Sequence, residues 1–110
     1  MRVWDVPPSK LCRNHLLGEH REVHAIWSVL TLGKKGYSRH PETLRWKGRL
    51  GALYSRHQRL VRELKRRGYN HNSPLDGFLA KGSKIQSVFL ESRESQISKL
   101  KAKNCGCFSV

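Results

Sequence analysis

Trp46-Lys47-Gly48-Arg49-Leu50-Gly51-Ala52-Leu53-Tyr54-Ser55-Arg56-His57-Gln58-Arg59-Leu60-Val61-Arg62-Glu63-Leu64 carries the clearest pattern in the chain. Within it Trp46, Leu50, Leu53, Tyr54, His57, Leu60, Val61 and Leu64 fall inside about 120° of a helical wheel, the width of a stripe that a helix buries. Arg45, Arg49, Arg56, Arg59 and Arg67 occupy another sector of the same wheel and form a basic ridge. Such a ridge is either a phosphate-facing surface or a solvated face. Pro41 suits a first helical turn and Gly68 a left-handed C′ position, which predicts one helix from Pro41 to Arg67.

Toward the N-terminus, Pro7-Pro8 blocks a helix and Ser9 is a good N-cap, so a helix is predicted from Ser9 to about Leu32, where Gly33 stops it. Leu16, Val23, Ile26 and Leu30 recur at helical spacing and form its inward stripe. Residues 33–40 read as a basic, glycine-punctuated loop. Toward the C-terminus, the turn formers of 69–77 predict another loop. A third helix is expected from Ser83 to Lys103, with Phe89, Ile97 and Leu100 inward. No repeat is present, and no stretch alternates apolar and polar residues long enough for a sheet. The 110 residues therefore predict an all-α fold, a single compact domain of about three helices spanning 1–110.

Twenty-two Lys and Arg against eight Asp and Glu leave a net charge of +14, while 37% of residues are hydrophobic. That excludes a disordered basic tail and points to a polyanionic partner, nucleic acid first and an anionic membrane surface second. No apolar run approaches the roughly 20 residues of a membrane helix, and the start lacks the apolar stretch of a signal peptide. Three cysteines, an odd number, do not make a disulfide framework, so the expected compartment is the cytoplasm, at the nucleoid when DNA is bound. Cys12 reads as a buried or half-buried thiol. Cys105-Gly106-Cys107 has the wrong spacing for a C-x₂-C half-site, and no metal is expected there. Cys107-Phe108-Ser109-Val110 fits a prenylation box poorly and reads as a frayed end. His20 and His24 have the i, i+4 spacing of metal ligands, as a metal-dependent nuclease would need, without a convincing third ligand. Trp4, Trp27 and Trp46 are expected in the core.

The first helix holds a second stripe of His15, Gly18, Glu19, Glu22 and Ala25, with Asn14 and Arg21 beside it. Gly inside a helix costs about 1 kcal/mol relative to Ala, so Gly18 suggests that another piece of backbone, the extended N-terminus being nearest, approaches there. A solvated acidic-basic face with an incidental glycine is the other reading.

Asn14-His15-Leu16-Leu17-Gly18-Glu19-His20-Arg21-Glu22, then Gly36-Tyr37-Ser38-Arg39-His40-Pro41-Glu42, then Leu64-Lys65-Arg66-Arg67-Gly68-Tyr69-Asn70 resemble, in order and spacing, the pyrimidine-dimer DNA glycosylases of the phage endonuclease V type. The resemblance covers roughly residues 1–72. Residues 73–110, a loop, a helix and a short tail, match only in kind. It implies a mostly helical domain whose N-terminal segment threads between helices, and a combined glycosylase and abasic-site lyase working through the terminal α-amine. Carried onto this chain, the catalytic positions are Met1 and Glu22, and the DNA-contacting positions are Arg2, Asn14, His15 and Arg21. The ridge adds Arg45 and Arg49 as DNA-binding candidates. Two departures stand out: a basic position after the catalytic glutamate is Ala25 here, and the family's aromatic tail is replaced by residues 104–110.

The implied chemistry suits the residues. An α-amine has a reference pKa near 8 against about 10.4 for lysine, so far more of it is unprotonated at neutral pH. Arg2 and Arg21 are expected to lower it further, and the bulk of Arg2 to keep Met1 in place. The expected partner is double-stranded damaged DNA, bound by a monomer, with no membrane and no cofactor. A non-catalytic nucleic-acid-binding module on the same scaffold is the alternative.

Overall fold

A computed structural model of the protein describes residues 2–70 and 73–108. The stripe first read in the sequence is the centre of the core. Leu53, His57 and Leu60 are fully enclosed, Trp46, Val61 and Leu64 nearly so, and Trp46, Leu53, Leu60 and Leu64 share one cluster with Leu16, Val23, Ile26 and Trp27 of the first helix. Four helices are present among the described residues, with no strand: α1 (Arg13–Leu32), α2 (Pro41–Trp46), α3 (Leu50–Arg66) and α4 (Arg93–Ala102). All three tryptophans are buried. Gly33 ends α1 in the left-handed conformation, as expected.

The single helix predicted over 41–67 is two helices, broken at Lys47-Gly48-Arg49. The break comes from a close crossing of chain. Gly48 has φ 76° and Gly82 φ 85°, and a Cβ on Gly82 would sit 2.3 Å from the Gly48 carbonyl oxygen. Ser83 N–H donates to that carbonyl at 3.0 Å, and the carbonyls of Lys81 and Ser83 accept from Gly51 N–H at 3.1 Å and Ala52 N–H at 3.0 Å. The first turn of α3 thus finds the partners that every helix start lacks within itself. Residues 81–83 are committed to this crossing and are not helical.

The third predicted helix is correspondingly shorter at its start. It opens at Arg93, where the Ser92 side chain accepts from Ser95 N–H at 3.1 Å, rather than at Ser83. Leu100 is buried and Ile97 partly buried, but Phe89 precedes the helix and is exposed. At the other end of the chain Ser9 does not cap α1. Pro8–Lys10 is a 3-10 turn, Leu11 takes an extended conformation that buries its side chain, and Cys12 is the cap, its sulfur accepting from His15 N–H.

Candidate active site

Residues 2–7 are neither helix nor strand, with a bend at Asp5-Val6, so their polar backbone groups need side-chain partners. Every helix contributes one. Trp4 N–H donates to Glu19 of α1 at 2.8 Å, Val3 N–H to Glu42 of α2 at 3.2 Å, and Asp5 N–H to the Gln96 side-chain oxygen of α4 at 2.8 Å. In the other sense, Arg45 of α2 donates to Val3 O at 2.9 Å and Arg56 of α3 to Val6 O at 2.8 Å. Val3, Trp4 and Val6 fill the core beneath. The N-terminal segment threads between the helices, as the resemblance implies.

The gripping side chains are paired among themselves. Arg56 holds both oxygens of Glu19, at 2.6 and 3.0 Å. Burial raises the Glu19 carboxyl above its ordinary range, and the charge and hydrogen bonds of Arg56 and the Trp4 N–H act against that rise. Arg45 donates to Glu42 at 2.8 Å, Asp5 at 3.1 Å and Val88 O at 2.9 Å. Arg45, 3% exposed, and Arg56, 7% exposed, are therefore not ridge residues open to a phosphate. The N-terminal segment covers the sector of the wheel that hydropathy left free. Arg49 is half-buried and donates to the carbonyls of Arg45 and Lys47 at 3.4 Å, Arg67 is spent on Glu63 and Leu11 O, and Arg59 alone of the five is exposed.

Glu22 lies one turn beyond Glu19 on α1. It is half-buried. Asn14 and Arg21 stand exposed on the same helix. Arg2 pairs with Glu91 and stacks its guanidinium 4.2 Å from the Trp4 ring centroid, so a carboxylate offsets its charge near the chain start. Met1 lies outside the described residues. Among the described residues the close approach expected at Gly18 is not found: a Cβ there would meet none of their heavy atoms within 4 Å. The backbone that approaches α1 is held by Glu19, one residue on and about 100° around the helix.

His15 turns its Nδ1 toward sulfur. Its Nδ1 faces three sulfurs, Cys12 at 3.0 Å and Cys105 and Cys107 at 3.3 Å each. Burial, then the charge of Lys103, lowers its pKa and favours the neutral ring. Behind α1, His20 and His24 are joined by His57, with ring centroids 4.7 to 5.1 Å apart and 3.2 Å between His24 Nε2 and His57 Nε2. Helical spacing on α1 showed two of these imidazoles, and the third arrives from the core stripe of α3.

A cleft of about 330 Å³ opens beside the N-terminal segment, lined by Asp5, Arg56, Arg59, Lys84 and Arg93 among others. Burial and the charges of Arg56, Arg62 and Arg93 hold the Arg59 guanidinium below its ordinary range, the mark of cations crowded together. Neither Glu22, Asn14 nor Arg21 lines this cleft.

The chain matches the pyrimidine dimer DNA glycosylase family over residues 1–77, which include α1, α2, α3 and the N-terminal segment, and it belongs to that family. Membership implies glycosylase activity on DNA carrying pyrimidine dimers. No curated protein and no solved structure gives a significant match. No helix among the described residues is long and apolar enough to cross a membrane.

Proposed function

We propose that the protein is a glycosylase with abasic-site lyase activity, acting as a monomer on double-stranded DNA at pyrimidine dimers through the α-amine of Met1. The observation that carries this reading is the grip of all four helices on residues 3–6. Within it Trp4 meets both Glu19 and His15 of α1.

In this reading the amine lone pair attacks C1′ of the damaged nucleotide, and the glycosidic bond breaks with its electrons leaving on the base. Ring opening then yields an imine between protein and sugar. Loss of a proton from C2′ expels the 3′ phosphate, which cuts the strand, and water releases the enzyme. Glu22 stabilises the positive charge that develops on the sugar and carries protons in the elimination. Asn14, Arg21 and the exposed arginines bind phosphates. Extruding a nucleotide is cheaper at a damaged pair, which favours the lesion as substrate.

The test blocks the amine. Acetylation of the N-terminus, or an uncleaved extension, is expected to abolish borohydride trapping on abasic-site DNA and strand cutting together, because an amide nitrogen forms no imine. Affinity for DNA is expected to change little, since one positive charge of many is lost. Full lyase activity in a verified blocked protein overturns the mechanism and turns attention to a lysine such as Lys10. A non-catalytic DNA-binding module would bind the same DNA and trap none, blocked or not.

A further inference from the structure

Three sulfurs and one ring nitrogen converge on a single point at the tail of the molecule. Cys12 Sγ, His15 Nδ1, Cys105 Sγ and Cys107 Sγ all lie within 4.8 Å of one another. His15 Nδ1 is 3.0, 3.3 and 3.3 Å from the three sulfurs, and Cys105 Sγ is 3.6 Å from Cys107 Sγ. A disulfide requires about 2.05 Å, so these are free thiols. A neutral imidazole offers one proton or one lone pair at Nδ1, which serves one of three sulfurs at a time, so hydrogen bonding alone does not account for the convergence. A tetrahedral cation does. With bonds of about 2.3 Å to sulfur and 2.0–2.1 Å to nitrogen, the edges of its coordination shell are roughly 3.8 Å between sulfurs and 3.5 Å from sulfur to nitrogen.

We propose that Cys12, His15, Cys105 and Cys107 form a structural zinc site that fastens the C-terminal tail to the start of α1. Three thiolates and one imidazole are a closed tetrahedral donor set for zinc, soft enough to exclude magnesium or calcium. The backbone is shaped for it. Gly106, at φ 100°, lets two cysteines one residue apart turn toward the same point. Cys12 N–H points at Cys107 Sγ at 3.0 Å and His15 N–H at Cys12 Sγ at 3.5 Å, the outer contacts that offset charge on metal-bound thiolates. The C-x-C spacing that argued against a zinc half-site loses its force once two ligands come from 90 or more residues away. When zinc binds, the thiol protons go to water and the metal closes a loop of 95 residues, so its binding energy adds to folding. The two tail cysteines fall outside the stretch matched to the family, so the site is a feature of this chain's own tail. It leaves no role for His15 Nδ1 at a phosphate.

The test uses the full chain. Loaded with cobalt(II), it is expected to show intense thiolate-to-cobalt charge transfer in the near ultraviolet with tetrahedral visible bands, both lost when zinc is added. Zinc is expected to slow alkylation of the cysteines by about tenfold or more, and a chelator to restore the rate. His24→Asn, which alters the three-histidine cluster, is expected to leave the charge transfer intact, whereas Cys105→Ser diminishes it. Should Cys105→Ser fail to fold, the measurements on the unaltered chain decide. A cobalt spectrum without charge transfer, alkylation indifferent to zinc, or protection that yields to a reductant but not to a chelator each overturns the proposal.

Discussion

Two glutamates one turn apart on α1 differ in burial, and the proposed mechanism gives them different work. Glu19 is 2% exposed and takes three N–H groups, two from Arg56 and one from Trp4. It holds the N-terminal segment. Glu22, half-buried, is the carboxylate that the proposed mechanism uses. Glu22→Gln keeps shape and removes charge, so strand cutting is expected to fall by at least roughly 100-fold in single-turnover assays while binding to damaged DNA persists. Normal cutting by that variant would make Glu22 structural. A third glutamate makes an acid-side prediction. Hydrogen bonds from Arg66 and then Arg67 hold the Glu63 carboxyl well below its usual 4.5, at about 2. Because the folded state binds this proton less readily, its contribution is complete above about pH 4.5 and lost as pH falls toward 2. The Arg66 side chain is 66% exposed and screened, so the contribution is set at about 1 kcal/mol. Glu63→Gln is expected to flatten the difference in urea midpoint between neutral and acid solution, and an unchanged acid slope would contradict the pairing.

At the scale of elements, the decisive fact is that α2 and α3 grip the N-terminal segment with arginines that a helical wheel assigns to a surface. Arg45 joins Glu42, Asp5, Val3 O and Val88 O, so its removal strands two carboxylates and two carbonyls in or near the core. Arg45→Ala is expected to cost roughly 3–5 kcal/mol in urea unfolding, the usual loss when one partner of a buried pair is deleted. Arg49→Ala, whose contacts are long and half-exposed, is expected to cost under about 1 kcal/mol. Equal costs would mean that the N-terminal segment is held by its apolar side chains alone. The same crossing that divides α2 from α3 also explains the late start of α4: residues 81–83 are spent on the first turn of α3.

For the whole molecule, +14 is the dominant electrostatic fact, and the buried pairs decide which part of it faces outward. With Arg45 and Arg56 turned inward, the outward share on α3 is carried by Arg59, Arg62, Lys65 and Arg66. The double change Arg59→Ala, Arg62→Ala is expected to flatten the logarithmic salt dependence of DNA binding by up to about 2 units, each phosphate contact contributing about 0.9. Filter binding over a salt series measures this. A slope that does not move would make this part of α3 a solvated face, with DNA held instead near Asn14 and Arg21.

The all-α class, the core stripe of α3, the end of α1 at Gly33 and the family were legible in the sequence, because each rests on local periodicity, capping or the order of short motifs. Charge showed the class of partner for the same reason, since net charge is a sum over residues and does not depend on where they lie. What needed the tertiary structure were the contacts between distant pieces of chain. Hydropathy reads a polar side chain as outward, so Arg45 and Arg56 passed for a surface ridge until residues 3–7 covered them. A break without proline is invisible to periodicity, and Gly48 became one because Gly82 crosses it. Spacing finds ligands that share a helix, as His20 and His24 do, but His57, and the meeting of Cys12 and His15 with Cys105 and Cys107, exist only once the helices pack, because coordination and buried pairing depend on distance in space rather than along the chain.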